Sequence, residues 1–156
     1  MRYWLMKSEP GECSIDDAIK APRATVPWTG VRNYQARNYL RDESQPGDGV
    51  LFYHSSCPEP GVAGIAQIAS APYPDPTQFD RKSPYYDPAS KPESPRWVLV
   101  DVRALRKTRL LSLAELRANE ALADMILLRR GNRLSITPVT PQQWRAIARL
   151  LPPAKA

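Results

Sequence analysis

Histidine and cysteine are nearly missing from this chain: it has one histidine, His54, and two cysteines, Cys13 and Cys57. That is too few for a zinc site of the usual Cys/His kind, and no calcium-loop spacing appears among the acidic residues, so no metal and no cofactor is expected. The cysteines could form one bridge at most. The N-terminal MRYWLMKSEP does not read as a secretory signal, so free thiols and a cytoplasmic setting are expected. No apolar run approaches the ~20 residues of a membrane-spanning helix. A phosphate-cradling glycine loop is also missing, because Gly61 and Gly64 flank the start of a strand and do not open a helix. Repeats, low-complexity tracts and interdomain linkers are absent too. The 156 residues read as one domain, 1–156, with 152–156 a short tail and a monomer expected.

Proline is abundant, at 17 residues, which favours fixed loops over long helices. The net charge of +6 is compatible with a nucleic-acid partner without establishing one. Basic residues gather at Arg32/Arg37/Arg41, at Arg103/Arg106/Lys107/Arg109 and at Arg129/Arg130/Arg133.

Hydrophobic patterning predicts strands over 3–7, 50–54, 62–71, 97–105 and 133–139. Val98, Val100 and Val102 are expected on one face of the fourth. Ile65 and Ile68 break strict alternation in the third, which predicts a bulge or two buried faces. Helices are predicted over 15–20 behind a Ser14 cap, over 34–41 behind Asn33, and over 112–119. A final helix follows Thr140, with Pro141 at its first position and Trp144, Ile147, Ala148 and Leu151 as its apolar stripe, ended by Pro152-Pro153. The segment from Pro72 to Pro95 carries seven prolines and four aromatic residues, which predicts an ordered loop packed on the sheet. Strands and helices do not alternate as a doubly wound sheet requires. The fold class is α+β: a mixed curved sheet of about five or six strands with inserted and C-terminal helices.

The stretch with the most distinctive chemistry is WTGVRNYQARNYLR at 28–41. Trp28 precedes a turn in which Gly30 takes positive φ, and a helix start and arginines follow. Aromatic faces and guanidinium groups stack on planar rings, and helix N-termini favour anions. Local chemistry leaves Trp28 open between ligand wall and core packing. A catalytic reading of His54 beside Ser55, Ser56 and Cys57 is weak, because neighbours on a strand point to opposite faces. A histidine hydrogen-bonded at a strand end accounts for it as well. Asp75, Asp80 and Asp87 are expected to cap turns.

Taken together, the segments YWLMKSEP (3–10), SIDDAI (14–19), the 28–41 stretch, GDGVLFYHSSC (47–57), GIAQI (64–68), YPDPTQFD (73–80), SPYYDP (83–88), RWVLVDV (96–102) and RLSITPVT (133–140) resemble the EVE domain family. So many separate segments in register make the resemblance specific. It implies a PUA-like pseudo-barrel and a non-catalytic reader of modified bases in DNA or RNA. It also implies a pocket lined by Trp28, Val31, Asn33 and Gln35, with Lys7 and Ser8 from the first strand end and His54 and Ser55 from the FYHS end. Tyr73 and Asp75 are implied at the rim. Cys13 departs from the family pattern at a position expected to lie outside the pocket.

On this reading a methylated or hydroxymethylated base stacks on Trp28, Asn33 and Ser8 read its edge, and Arg32, Arg37 and Arg41 meet flanking phosphates. His54 is as much an orienting residue as a ligand contact. Trp28 is expected partly exposed at the rim of the main cavity, and Trp97 and Trp144 buried. The rival readings are an enzyme acting on a modified nucleotide or nucleic acid, a plain RNA-binding module, and a small-molecule receptor.

Overall fold

The computed structural model describes residues 1–151. In chain order its elements are β1 (Tyr3–Ser8), α1 (Ile15–Lys20), β2 (Thr25–Pro27), α2 (Tyr34–Asn38), β3 (Gly49–His54), β4 (Gly61–Ile68), β5 (Tyr73–Pro74), β6 (Val98–Leu99), β7 (Asp101–Ser112), α3 (Leu113–Ala118), β8 (Ile136–Val139) and α4 (Pro141–Leu150). Six strands form one sheet in the order β2-β7-β4-β3-β1-β8, while β5 and β6 pair separately. β1 runs parallel to β3 and antiparallel to β8, which makes the sheet mixed. Among the described residues no pairing joins β2 to β8, so hydrogen bonds do not close the sheet into a barrel.

The sheet is covered on both faces. Trp4, Met6, Val50, Phe52, Ala66 and Ile68 belong to one core, and Leu5, Leu51, Tyr53, Val62 and Leu111 to the other. Alternate residues of a strand point to opposite faces, so burial on both sides turns YWLM and VLFY into continuous apolar runs. The irregularity at Ile65 has both expected causes: the β4–β7 register shifts between Ile65 and Ala66, and Ile65 and Ile68 pack in different cores.

Helix caps follow the sequence closely. Ser14, Asn33, Ser112 and Thr140 each accept a backbone N–H of the first turn, from Asp17, Ala36, Glu115 and Gln143. The helix expected over 34–41 is α-helical only to Asn38 and widens into a π-helical turn over Tyr39–Glu43. The strand expected over 97–105 breaks at Val100. Val98 pairs with β5, and the chain then re-enters the main sheet as the twelve-residue β7. β4 stops at Ile68, before 71, and β8 begins at Ile136, after 133. β2 was not expected, because its three residues carry no alternating pattern. On α4, Trp144 is half-buried and Ala148 exposed, and Gln143 takes an inward position beside Ile147 and Leu151. The Pro152-Pro153 stop lies outside the described residues.

The proline-rich segment is held by a buried amide. Gln78 donates to the carbonyls of Asp75 (2.7 Å) and Trp97 (2.8 Å) and accepts from Ser90 and the Trp97 N–H. The indole N–H of Trp97 donates to Asp87, which holds that carboxyl below its ordinary range. One residue satisfying several loop backbone groups lets a long segment pack without a strand ladder.

Candidate functional site

β1 ends between two neighbours. The Lys7 N–H donates to the Ser135 carbonyl (2.8 Å), and the Ser55 N–H donates to the Ser8 carbonyl (3.0 Å). Across from this end stands the loop after β2, where the Trp28 N–H donates to the Val100 carbonyl (2.9 Å). Between them lies a cavity of about 500 Å³, lined by Lys7, Ser8, Glu9, Glu12, Cys13, Val26, Pro27, Trp28, Thr29, Gly30, Val31, Ser55, Ser56, Tyr85, Arg133 and Ser135.

Trp28 forms an apolar wall. It is only 7% exposed, more enclosed than the partly exposed rim position expected of it, and its ring meets Phe52 edge-on at 5.2 Å. The indole N–H groups of Trp4 and Trp97 are bonded to Asp48 and Asp87, whereas that of Trp28 has no acceptor among the described residues. Asn132 Nδ2 and Thr137 Oγ1 are the fully buried polar side-chain atoms left unpaired among the described residues. The Trp28 indole N–H is not one of them, so it is not fully buried and is available to donate to a ligand.

The loop bearing Trp28 is fixed from behind. Gly30 has φ +87°, and a Cβ there would lie 2.6 Å from the Tyr85 ring, so glycine is required both by conformation and by space. The fully buried Asp75 accepts from the Gly30 N–H (2.9 Å), from Arg32 (3.1 Å), and from the Thr77 N–H and hydroxyl (2.8 and 2.6 Å). Arg32 also donates to the Tyr85 and Val31 carbonyls and to Thr77, and lies over the Tyr85 and Trp97 rings. Tyr85 donates to Glu12 (2.7 and 2.8 Å), and burial together with that carboxylate pushes its phenol up to about 12.

The rest of the site is polar. The Lys7 ammonium has no partner among the described residues, and burial lowers its pKa. Glu9 and Arg133 likewise have no side-chain partner among the described residues. The Ser8 hydroxyl donates to the Cys13 carbonyl (2.6 Å), and burial pushes the Cys13 thiol up. Contrary to expectation, Cys13 lines the pocket, because the turn after Glu9 folds back over the end of β1.

Of the residues named from sequence, Lys7, Ser8, Trp28, Val31 and Ser55 meet around the cavity. Asn33, Gln35, His54, Tyr73 and Asp75 do not line it. Asn33 uses its side-chain oxygen to cap α2, and Gln35 donates to Tyr39. His54 Nε2 accepts the Ile15 N–H (3.0 Å), with the ring edge-on to Phe52 at 5.8 Å, and burial lowers its pKa. Tyr73 donates to Asp101 (2.6 Å), and burial with that bond raises its phenol to about 12. Asp75 supports the Trp28 loop from inside. Arg32 is committed to the same interior network, while Arg37 bonds Asn38 and the Arg96 carbonyl and Arg41 bonds Asp42. Glu9, Glu12, Tyr85, Arg133 and Ser135 were missed. The loop before Pro10 was the signal for Glu9, but nothing local marks the others.

No group of three His, Cys, Asp or Glu able to hold a metal ion occurs among the described residues. In the same residues no helix is long and apolar enough to cross a membrane. What the arrangement offers is a binding cleft: an indole wall with a free N–H, an unpaired ammonium, free carboxylate oxygens and a rigid backbone loop.

Over residues 2–150 the chain matches the EVE domain, so it belongs to the EVE domain family. It is 44% identical to human thymocyte nuclear protein 1 over 91% of this chain and 70% of that protein. Its structure resembles that of human THYN1 in complex with 5-methylcytosine-containing DNA, with a TM-score of 0.91 and 42% identity over 96% of this chain and 97% of that one. A protein from Pseudomonas syringae is also similar, with a TM-score of 0.91 and 46% identity over 95% of this chain and 98% of that one.

Proposed function

We propose that the chain is a non-catalytic reader of a modified base in nucleic acid, accepting an extruded methylated or hydroxymethylated base against Trp28. The observation that carries this reading is Trp28, packed edge-on against Phe52 and lining a polar cavity of about 500 Å³, with its N–H unpaired among the described residues. A flipped base needs an aromatic wall and donors and acceptors for its edge, and both are at hand. The 5-methylcytosine DNA bound by human THYN1 favours DNA over RNA as the nucleic acid. The exposed Arg41 and Arg133, with Arg37, supply charge for flanking phosphates. Arg32 is assigned to holding the loop instead, because it is paired with the fully buried Asp75 and bonded to Thr77 and the Tyr85 carbonyl.

The absence of turnover is part of the proposal. His54 is the one histidine, and its Nε2 lone pair is taken by the Ile15 N–H, which leaves it unable to accept a substrate proton there. The protein would act in whichever compartment holds its nucleic acid; the cytoplasm remains the proposal for this chain, although the animal relatives are named as nuclear proteins. The test is a binding panel of otherwise identical oligonucleotides, single- and double-stranded, carrying cytosine, 5-methylcytosine or 5-hydroxymethylcytosine at one position. Several-fold tighter binding of one modified form is expected, since one buried methyl adds roughly 0.8 kcal/mol and a tight pocket up to ~3. Equal affinity for all three would contradict the reading.

A further inference from the structure

Two polar side chains free to meet a ligand's edge stand two residues apart at the end of β1. Lys7 presents an ammonium and Glu9 a carboxylate to the same cavity, and neither has a protein partner among the described residues. Both residues line one cavity, which offers a ligand an obligate donor and an obligate acceptor two positions apart in the chain. Glu9 sits close enough for its charge to help raise the Tyr85 phenol across the cleft. The Ser8 hydroxyl is already engaged with Cys13, and Glu12 with Tyr85.

Resting on the base-reader proposal, we infer that Lys7 and Glu9 form an edge-reading pair that selects an aminopyrimidine over a ketopyrimidine. Cytosine presents N4–H₂ as donor beside N3 and O2 as acceptors. A carboxylate takes the amino hydrogen while an ammonium donates to the carbonyl side. Thymine carries the same 5-methyl group as 5-methylcytosine and stacks on Trp28 similarly, but it turns the O4 acceptor toward the carboxylate. Two acceptors then face each other in a partly desolvated site. The methyl-sensing walls and the edge-reading pair are therefore separable functions of one cavity, and discrimination between 5-methylcytosine and thymine falls on the pair.

The experiment compares dissociation constants of wild type, Glu9→Gln and Trp28→Leu on oligonucleotides that differ at one position: 5-methylcytosine, cytosine, thymine or uracil. Glu9 is exposed, so its amide variant is expected to fold. Wild type should prefer 5-methylcytosine over thymine by about tenfold or more. Glu9→Gln should lower that ratio several-fold, because an amide can also donate, while leaving the ratio of 5-methylcytosine to cytosine unchanged. Trp28→Leu should weaken all four and leave the ratio of 5-methylcytosine to thymine in place. If wild type distinguishes 5-methylcytosine from cytosine but Glu9→Gln leaves the thymine ratio unchanged, the edge-reading pair is overturned and the reader stands. If wild type distinguishes none of the four, both fall.

Discussion

The Asp75 carboxylate and the Arg32 guanidinium meet at 3.1 Å beneath the Trp28 loop, with Asp75 fully buried and the Arg32 side chain 21% exposed. The same carboxylate oxygen accepts the Gly30 N–H at 2.9 Å, so one ion pair fixes the backbone behind the cavity wall. Removing one member of a buried, hydrogen-bonded pair leaves the other uncompensated and costs about 3–5 kcal/mol. Asp75→Ala should lower unfolding free energy by that order in urea denaturation. Arg32→Ala should lower stability while leaving the salt dependence of nucleic-acid binding unchanged, because its donors face the protein.

Gly30 offers a finer test of the same loop. An L-residue in the left-handed region costs roughly 1–2 kcal/mol, and overlap with the Tyr85 ring adds to it. Gly30→Ala should therefore destabilise the protein and weaken binding. Combining it with Tyr85→Ala removes the clash and leaves the conformational cost. A double-mutant cycle from urea midpoints separates the two, with a coupling beyond additivity expected.

Gly30 and Asp75 mark how far the sequence could be read. The turn at Gly30 and the caps at Ser14, Asn33 and Thr140 depend on neighbours a few positions away, and the structure has them as expected. Asn33 shows the limit: once its oxygen caps α2, it is no longer aimed at the cavity, and local chemistry alone does not decide between those uses. The resemblance implied Asp75 at the rim; its carboxylate does cap the turn at Thr77, as expected, but its other partners lie 43 and 45 residues earlier in the chain. Tyr85, Arg133 and Ser135 reach the cavity only through tertiary packing, which no local pattern encodes. The break at Val100 is hidden for a related reason, since Val98, Val100 and Val102 keep one alternating apolar pattern across it.

His54 should make stability depend on pH. Burial lowers its folded pKa, and its Nε2 must stay unprotonated to accept the Ile15 N–H. The unfolded chain then binds a proton more readily, so this stabilisation is present above the ordinary value of 6.5 and is lost as pH falls through the folded pKa. Urea midpoints for wild type should fall between about pH 7.5 and about pH 5, the range that brackets histidine titration. In His54→Gln that part of the slope should vanish, and an identical slope in both proteins would assign the pH dependence to other groups.

Phosphate binding should separate from base recognition. Arg41→Ala and Arg133→Ala should weaken binding to modified and unmodified oligonucleotides alike. Each should lower the slope of log affinity against log salt by about 0.9 on duplex DNA for every phosphate that the variant no longer neutralises. A salt titration that leaves both slopes at the wild-type value would move the phosphate track toward Arg103 and Lys107 on β7.

Stacking on Trp28 is the claim on which the reader proposal turns. The direct measurement is the dissociation constant of Trp28→Leu, checked for folding by circular dichroism, on paired 5-methylcytosine and cytosine oligonucleotides. Leucine keeps an apolar surface toward Phe52 but removes the aromatic face and the free N–H. Stacking of a base on an aromatic ring is worth ~1–3 kcal/mol, so affinity for both oligonucleotides should fall about tenfold or more, with a smaller change in their ratio. A folded Trp28→Leu protein that binds both as tightly as wild type would mean that no base stacks there, and would contradict the assignment of this cavity.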